Sequence, residues 1–285
     1  MRTAHLQSSA GFLAILELDN NRLLAESLGL DLSLADNLEL LREINRRLLV
    51  LSKEVTGIIF DPIYSFDLMT QVQKNVAILR LEQDKENLES SLPLLFPNFS
   101  LEEISNNYAL AKLELYYHPS EPKAAEKKQL LAEIREYSQI LNIDFLLKLR
   151  IFDPQQETTV FSLENDQLTA IQELRSLADV LVIQNPPDPL AMATIISEVD
   201  VPCLVMADGQ DTYEQFKDKF RMAMENGAQG YCLGSVLWQE IANFRLEDQS
   251  FDLLGLEKYI ATTVRDRLME LNRIASESLD QLPEN

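Results

Sequence analysis

Along the chain, short apolar runs with period-two alternation keep giving way to longer stretches with helical periodicity. The runs Phe12 to Leu18, Gly57 to Asp61, Val76 to Glu82, Leu110 to Tyr117, Asp144 to Phe152, Asp179 to Gln184, Cys203 to Ala207 and Gly230 to Leu233 read as strands. Between them, Leu34 to Val55, Pro122 to Leu141, Leu163 to Leu177 and Thr212 to Asn226 carry the clearest helical spacing. The last begins at a capping residue, Asp211 or Thr212, and stops at Gly227, a usual pair of helix signals. Eight strands in regular alternation with helices, over about 250 residues, predict a (β/α)8 TIM barrel. A doubly wound open sheet is the alternative, but it commonly has fewer strands and a glycine-rich first turn. No linker or repeat divides the chain, so 1–285 reads as a single barrel domain. Residues 251–279 form an appended segment of extra C-terminal helices. The connection KENLESSLPLLFPNFSL, Lys85 to Leu101, is long for its kind, as loops that cover a site often are.

The alternation also places charge. Glu17 and Asp19, Arg80 and Glu82, Lys112 with Glu114 and Tyr116, and Lys148 with Arg150 each share one face of a strand. Helices cover the outside of a barrel, so these sets point inward, joined by Asp61 at the end of the second strand. A barrel interior is normally layered aliphatics, and an ion there costs several kcal/mol unless paired or solvated. One reading is a buried ion-pair network, such as Arg80 with Glu82 or Glu114, and Lys112 with Glu114. The other is a wet pocket at the C-terminal ends of the strands. The two are compatible. The sixth strand, ADVLVIQNP, carries no charge after Asp179.

Composition narrows the function. The formal charge of −21 excludes a nucleic-acid partner and docking on anionic lipid, since both need a cationic face. No run approaches the roughly 18 apolar residues of a membrane span, and the acidic N-terminal stretch is a poor secretory signal, so a cytoplasmic protein is expected. Cys203 and Cys232 are too few for a disulfide framework or a cysteine-based metal site, and no metal or other cofactor is expected. The eight glycines form neither GxGxxG nor GxxxxGK[ST]. His118 is a candidate base just beyond the fourth strand, though a lone loop histidine is more often a surface residue. Self-association through the tail helices stays open.

Several segments resemble, in order, the class I tagatose-bisphosphate aldolases and their sulfosugar-phosphate relatives. GIIFDPIYS is similar to the family's DPEYG element, AKLELYYHP to its VKxLLYY strand, FLLKLRIFD to FLEIxxYD, and ADVLVIQNP to ADVxKVExP. VMADGQDTYEQFKDKFRMAMENGAQGYCLGSVLW is similar to its last two strands and the helix between them. The likeness runs from about Gly11 to Trp238. It implies a (β/α)8 barrel that makes or breaks a carbon–carbon bond in a ketose phosphate through a Schiff base on a strand-six lysine, without metal. Asp19, Asp61, Glu82, Lys112, Tyr116 and Tyr117 stand where the family's residues stand. Val182 falls at the Schiff-base lysine, Gln184 at the acid two places on, Lys148 at a glutamate, and Ser235 at a phosphate-binding arginine. The strand-one arginine is lost or displaced by one, to Arg22. Valine has no nucleophile, which argues against the family's reaction running on the family's own residues.

Three readings follow. In the first, the nucleophile has moved to Lys148 or Lys112, with Glu82 and Asp19 as acid–base partners. The like charges of Lys112, Lys148 and Arg150 would depress a lysine pKa. Asp61, Arg80, Glu114, Tyr116, Arg150, Gln184, Gly209, Gly234 and Ser235 would then bind a small phosphosugar or other carbonyl compound. In the second, the same residues bind such a ligand without chemistry, in a sensor or partner protein. In the third, Lys148 pairs with Glu82 or Glu114 and the pocket is vestigial.

Overall fold

The computed structural model describes residues 3–72, 76–84, 89, 91–152, 160–186, 188–248 and 250–280. Eight parallel strands close a barrel in sequence order: β1 Leu13–Leu18, β2 Gly57–Phe60, β3 Val76–Arg80, β4 Leu110–Tyr117, β5 Phe145–Ile151, β6 Val180–Gln184, β7 Cys203–Met206 and β8 Gly230–Leu233. Each lies within two residues of its expected bounds. The outward side chains are the aliphatic ones, Leu16, Ile58, Leu79, Leu113, Leu147, Ile183 and Val205 among them, and they merge with the helices in one buried core.

The helices are α1 Asn21–Ser27, α2 Ala35–Leu48, α3 Leu101–Asn106, α4 Ala124–Ile140, α5 Val160–Leu174, α6 Pro189–Ser197, α7 Tyr213–Glu225, α8 Leu253–Tyr259 and α9 Arg265–Leu279. The expected Leu34 to Val55 helix stays α-helical only to Leu48, then tightens to a 3-10 turn, Leu49–Glu54. Thr212 caps α7, its hydroxyl accepting from Gln215 N while Gln215 returns the bond to the Thr212 backbone N–H, so two of the free amides of the first turn are satisfied together. Gly227 closes this helix at φ +98°, where a β-carbon would be strained. α8 and α9 run on from one another through a π-turn, Ile260–Val264. Asn272 fastens them to the barrel, donating to Glu54 O at 2.7 Å and accepting from Tyr231 Oη at 2.8 Å.

Inside the barrel an apolar cluster fills the N-terminal half and rises further along β6 and β7. Leu13, Ile15, Ile59, Ile78, Leu110, Leu146, Val180, Val182, Leu204, Met206 and Cys232 form one apolar cluster. Leu6, from a 3-10 turn over Thr3–Leu6, closes its bottom. A β-carbon at Gly57 would come within 2.7 Å of Leu6 Cδ2, so the missing side chain there is what lets Leu6 enter. Parts of the long connection after β3, residues 85–88 and 90, lie outside the described residues. Its return stretch folds back on the strand end, with Gln83 N donating to Leu94 O at 2.7 Å and Phe96 N to Leu81 O at 3.0 Å.

Candidate functional site

Above the apolar half lies a layer of charge, and the strand register fixes its rows. Arg80 stands beside Lys112, then Leu146 and Val180. One step higher, Glu114 stands beside Lys148, then Val182 and Leu204. Tyr116 stands beside Arg150 above that. Cations and carboxylates therefore fill the β1 to β5 side, while β6 and β7 stay apolar up to the same height.

Within the charged side every cation is held. Lys112 Nζ, with no exposed surface, donates to Glu82 at 2.5 Å, Asp19 at 3.0 Å and Glu114 at 3.4 Å. Lys148 Nζ donates to Glu17 and lies 3.6 Å from Glu114. Arg150 Nε donates to Glu114. Arg80 pairs with Asp61 at 2.6 Å and Asp84 at 3.0 Å, which corrects the expected pairing with Glu82 or Glu114. Asp61 is itself pinned, accepting from Ile63 N at 2.6 Å and Tyr64 N at 3.0 Å. Lys112 with Glu114 and Lys148 with Glu114 are pairs the sequence anticipated. Glu17, the acid bonded to Lys148, is among the inward-facing charges that strand parity gives, though parity does not name its partner.

Electrostatics follow from these contacts. Burial alone would lower the pKa of Lys112, but Asp19, Glu82 and Glu114 carry it well above the ordinary lysine value. For Lys148, burial is likewise overcome by Glu114 and Glu17, and its pKa is raised. The expected depression by neighbouring cations is thus reversed, because the carboxylates outweigh Arg80 and Arg150. Burial raises Glu114 less than Lys148, Arg150 and Lys112 lower it, and it sits well below the usual carboxylate range. Glu82 goes the other way, with burial as the largest cause. The cations Arg80, Lys112, Lys148 and Arg150 face the acids Glu17, Asp19, Asp61, Glu82 and Glu114, an excess of one negative charge before Asp84 is counted. Asp19 Oδ1 and Glu82 Oε2 are buried without a hydrogen-bond partner.

Two cavities open above this layer at the C-terminal ends of the strands. One, of about 300 Å³, is lined by Asn20, Arg22, Arg80, Glu82, Asp84, Glu114, Tyr116 and Arg150 among others. The other, of about 380 Å³, is lined by Glu17, Asp208, Gly209, Gly234, Ser235 and Trp238. Asn20, Leu23 and Arg150 line both. Lys112, Lys148, Asp19 and Asp61 line neither: they are fully buried beneath the floor. Gln184 stands apart as well, its Oε1 accepting from Ile151 N at 2.6 Å and so clamping β6 to β5. Gly209 and Ser235 are exposed, and Lys219 is committed to Asp211 at 2.7 Å and Asp208 at 3.4 Å. Arg22, on α1, bonds Glu26 at 2.9 Å on the rim. Tyr116 lines a cavity, and Tyr117 turns outward into the helical core with its hydroxyl on Glu173. Arg22, Asn20, Asp84 and Asp208 are mouth residues that strand parity could not find, since they sit on loops and a helix start.

Among the described residues no group of three or more His, Cys, Asp and Glu side chains is placed to hold a metal ion. No helix among them is long and apolar enough to cross a membrane. No protein-family model and no curated protein matches the chain.

Solved structures do match. An archaeal fructose 1,6-bisphosphate aldolase aligns over 93% of this chain and 98% of its own, at 18% identity and a TM-score of 0.62. An archaeal aldolase whose catalytic lysine is covalently bound to the carbinolamine intermediate of its substrate gives 18% identity, the same coverages and a TM-score of 0.63. Fructose-bisphosphate aldolase from Slackia heliotrinireducens gives 10% identity over 96% of this chain and 88% of its own, with a TM-score of 0.60. The chain has the (β/α)8 fold of these aldolases.

Proposed function

We propose that this barrel binds a small phosphorylated sugar at its mouth and does not form a Schiff base. One observation carries the reading: Val182 occupies the position that the resemblance gives to the reactive lysine, and the lysine beside it is held between Glu17 and Glu114. An amine attacks a carbonyl only when unprotonated, and this one is stabilised as the ammonium. Lys112 is more tightly held still. A relocated nucleophile would have to shed its proton and leave two carboxylates at once.

The ligand chemistry follows from the walls. Arg150 lines both cavities and offers guanidinium N–H groups beyond the Nε spent on Glu114, suited to a phosphate. Asn20, Tyr116 and the exposed Ser235 supply hydroxyl and amide groups for sugar hydroxyls. The surrounding acids, Glu26, Glu82, Asp84 and Asp208, make multiply anionic ligands unfavourable and point to a monophosphate.

The test uses fructose 6-phosphate, dihydroxyacetone phosphate and fructose 1,6-bisphosphate. Expected are saturable thermal stabilisation by a monophosphate, loss of that shift in Arg150→Met, and no adduct after borohydride reduction. A borohydride-stable adduct on Lys148 or Lys112 would overturn the non-catalytic reading. Absence of any thermal shift would overturn sugar-phosphate binding itself. Val182→Lys provides the positive control, since trapping in that variant alone shows that only the amine was missing.

A further inference from the structure

Outside the two cavities, the turn that follows β4 brings a serine, a histidine and an aspartate together. His118 is buried to 8% exposure, and both its ring nitrogens are engaged. Nε2 lies 3.3 Å from Asp166 Oδ2 on α5. Nδ1 lies 2.9 Å from Ser120 Oγ and also accepts the Ser120 backbone N–H at 3.2 Å. A nitrogen that accepts a backbone N–H carries no proton, so the proton is on Nε2, the nitrogen 3.3 Å from Asp166 Oδ2. The single lone pair of Nδ1 is therefore shared between the Ser120 backbone N–H and the serine hydroxyl. The turn is fixed from below: His118 N donates to Glu121 Oε1 at 3.0 Å, Glu121 N donates to His118 O at 3.0 Å, and Lys127 Nζ donates to Glu121 Oε2 at 2.7 Å. Ser120 itself is exposed.

We propose that Ser120 is an activated nucleophile, with His118 as its base and Asp166 as the positioning residue, able to take the acyl group of a small, uncharged activated ester. A nucleophile hydrogen-bonded to its base, with a carboxylate 3.3 Å from the base's other nitrogen, is a geometry that can activate a serine. The two ring nitrogens exchange the roles they have in the serine proteases, which the chemistry permits because either can be the base. Serine Oγ adds to the ester carbonyl carbon as its proton passes to Nδ1. The tetrahedral adduct then collapses, the bond to the leaving alkoxide or phenoxide breaks, and that oxygen takes the proton back from Nδ1. The products are acyl-Ser120 and an alcohol or phenol, and water later hydrolyses the acyl group by the same route. Asp166 beside the turn disfavours anionic acyl groups.

A ring that only capped the turn would need the bond to Ser120 N, and neither the hydroxyl nor Asp166. The experiment separates the two roles with p-nitrophenyl acetate as probe, on the intact chain, the acetyl group being located by peptide mass spectrometry. The expected result is acetylation at Ser120, absent in Ser120→Ala and about a hundredfold slower in His118→Gln. Asp166→Asn, which keeps the size and should fold where a histidine variant fails, is expected to slow acetylation while leaving the melting temperature within a degree or so. Acetylation scattered over surface lysines, or acetylation of Ser120 at an unchanged rate in Asp166→Asn or His118→Gln, would overturn the proposal.

Discussion

Around the height of Val182, the barrel interior has two sides that follow different rules. From β1 round to β5, Glu17, Lys112, Glu114 and Lys148 fill it with charge, and from β6 to β8, Val182, Leu204, Met206 and Cys232 fill it with hydrocarbon. The apolar side gains free energy simply by leaving water. The charged side gains little from burial, because each ion's lost hydration roughly cancels its attraction to the next. What the charged side contributes is geometry, with each lysine fixed by two or more carboxylates. A reactive amine on β6 would stand at the border, poorly solvated and next to one ammonium, where its proton is easily lost. Valine there removes the amine and leaves the rest of the border intact.

The largest expected effect breaks the charged side. Lys112→Met strips the counter-charge from Asp19, Glu82 and Glu114 together and should cost about 3–5 kcal/mol, read by urea denaturation at pH 7. A loss below about 1 kcal/mol would mean that the three acids reach solvent. Leu204→Ala on the apolar side should cost about 2–5 kcal/mol, with the same loss at low and high salt. A clear salt dependence there would show that the two sides are not separate. The third effect is acid lability. Glu114 has a folded pKa below its unfolded value, so its contribution is present above about pH 4.3 and is lost as pH falls through the folded value. Glu82 is shifted upward, so its part runs in reverse. Comparing wild type with Glu114→Gln between pH 6 and 3 isolates the first: the variant should be less stable at pH 6, and the gap should narrow as the acid is neutralised. A gap constant with pH would place the effect elsewhere. The smallest effect serves as reference: Thr212→Ala, away from both sides, should cost about 1 kcal/mol of thermal stability through its lost cap and leave ligand-induced shifts unchanged.

Period-two alternation was enough to place the strands and to tell inward residues from outward ones, as with Tyr116 and Tyr117. It could not say which acid meets which lysine. Parity assigns a face, whereas partners across a barrel depend on strand tilt and stagger. Hence Lys148 meets Glu17, from a strand on the far side, and Arg80 turns to Asp61 and Asp84. Nor could composition foresee the sign of the lysine shifts. Counting Lys112, Lys148 and Arg150 together suggests repulsion, but the interleaved carboxylates decide the outcome at 2.5 to 3.6 Å. The link between His118 and Asp166 joins different elements and carries no sequence period at all.

Leu6 gives the charged layer one further property. By stopping the bottom of the barrel, it turns the interior from a tube into a flask, with the mouth as the neck. Water, protons and exchange catalysts then reach Lys112 from the mouth, through the cavity that Glu82, Arg150 and Tyr116 help to line. A molecule seated on those residues would cork the flask, leaving the ions beneath with whatever protons they held when it arrived.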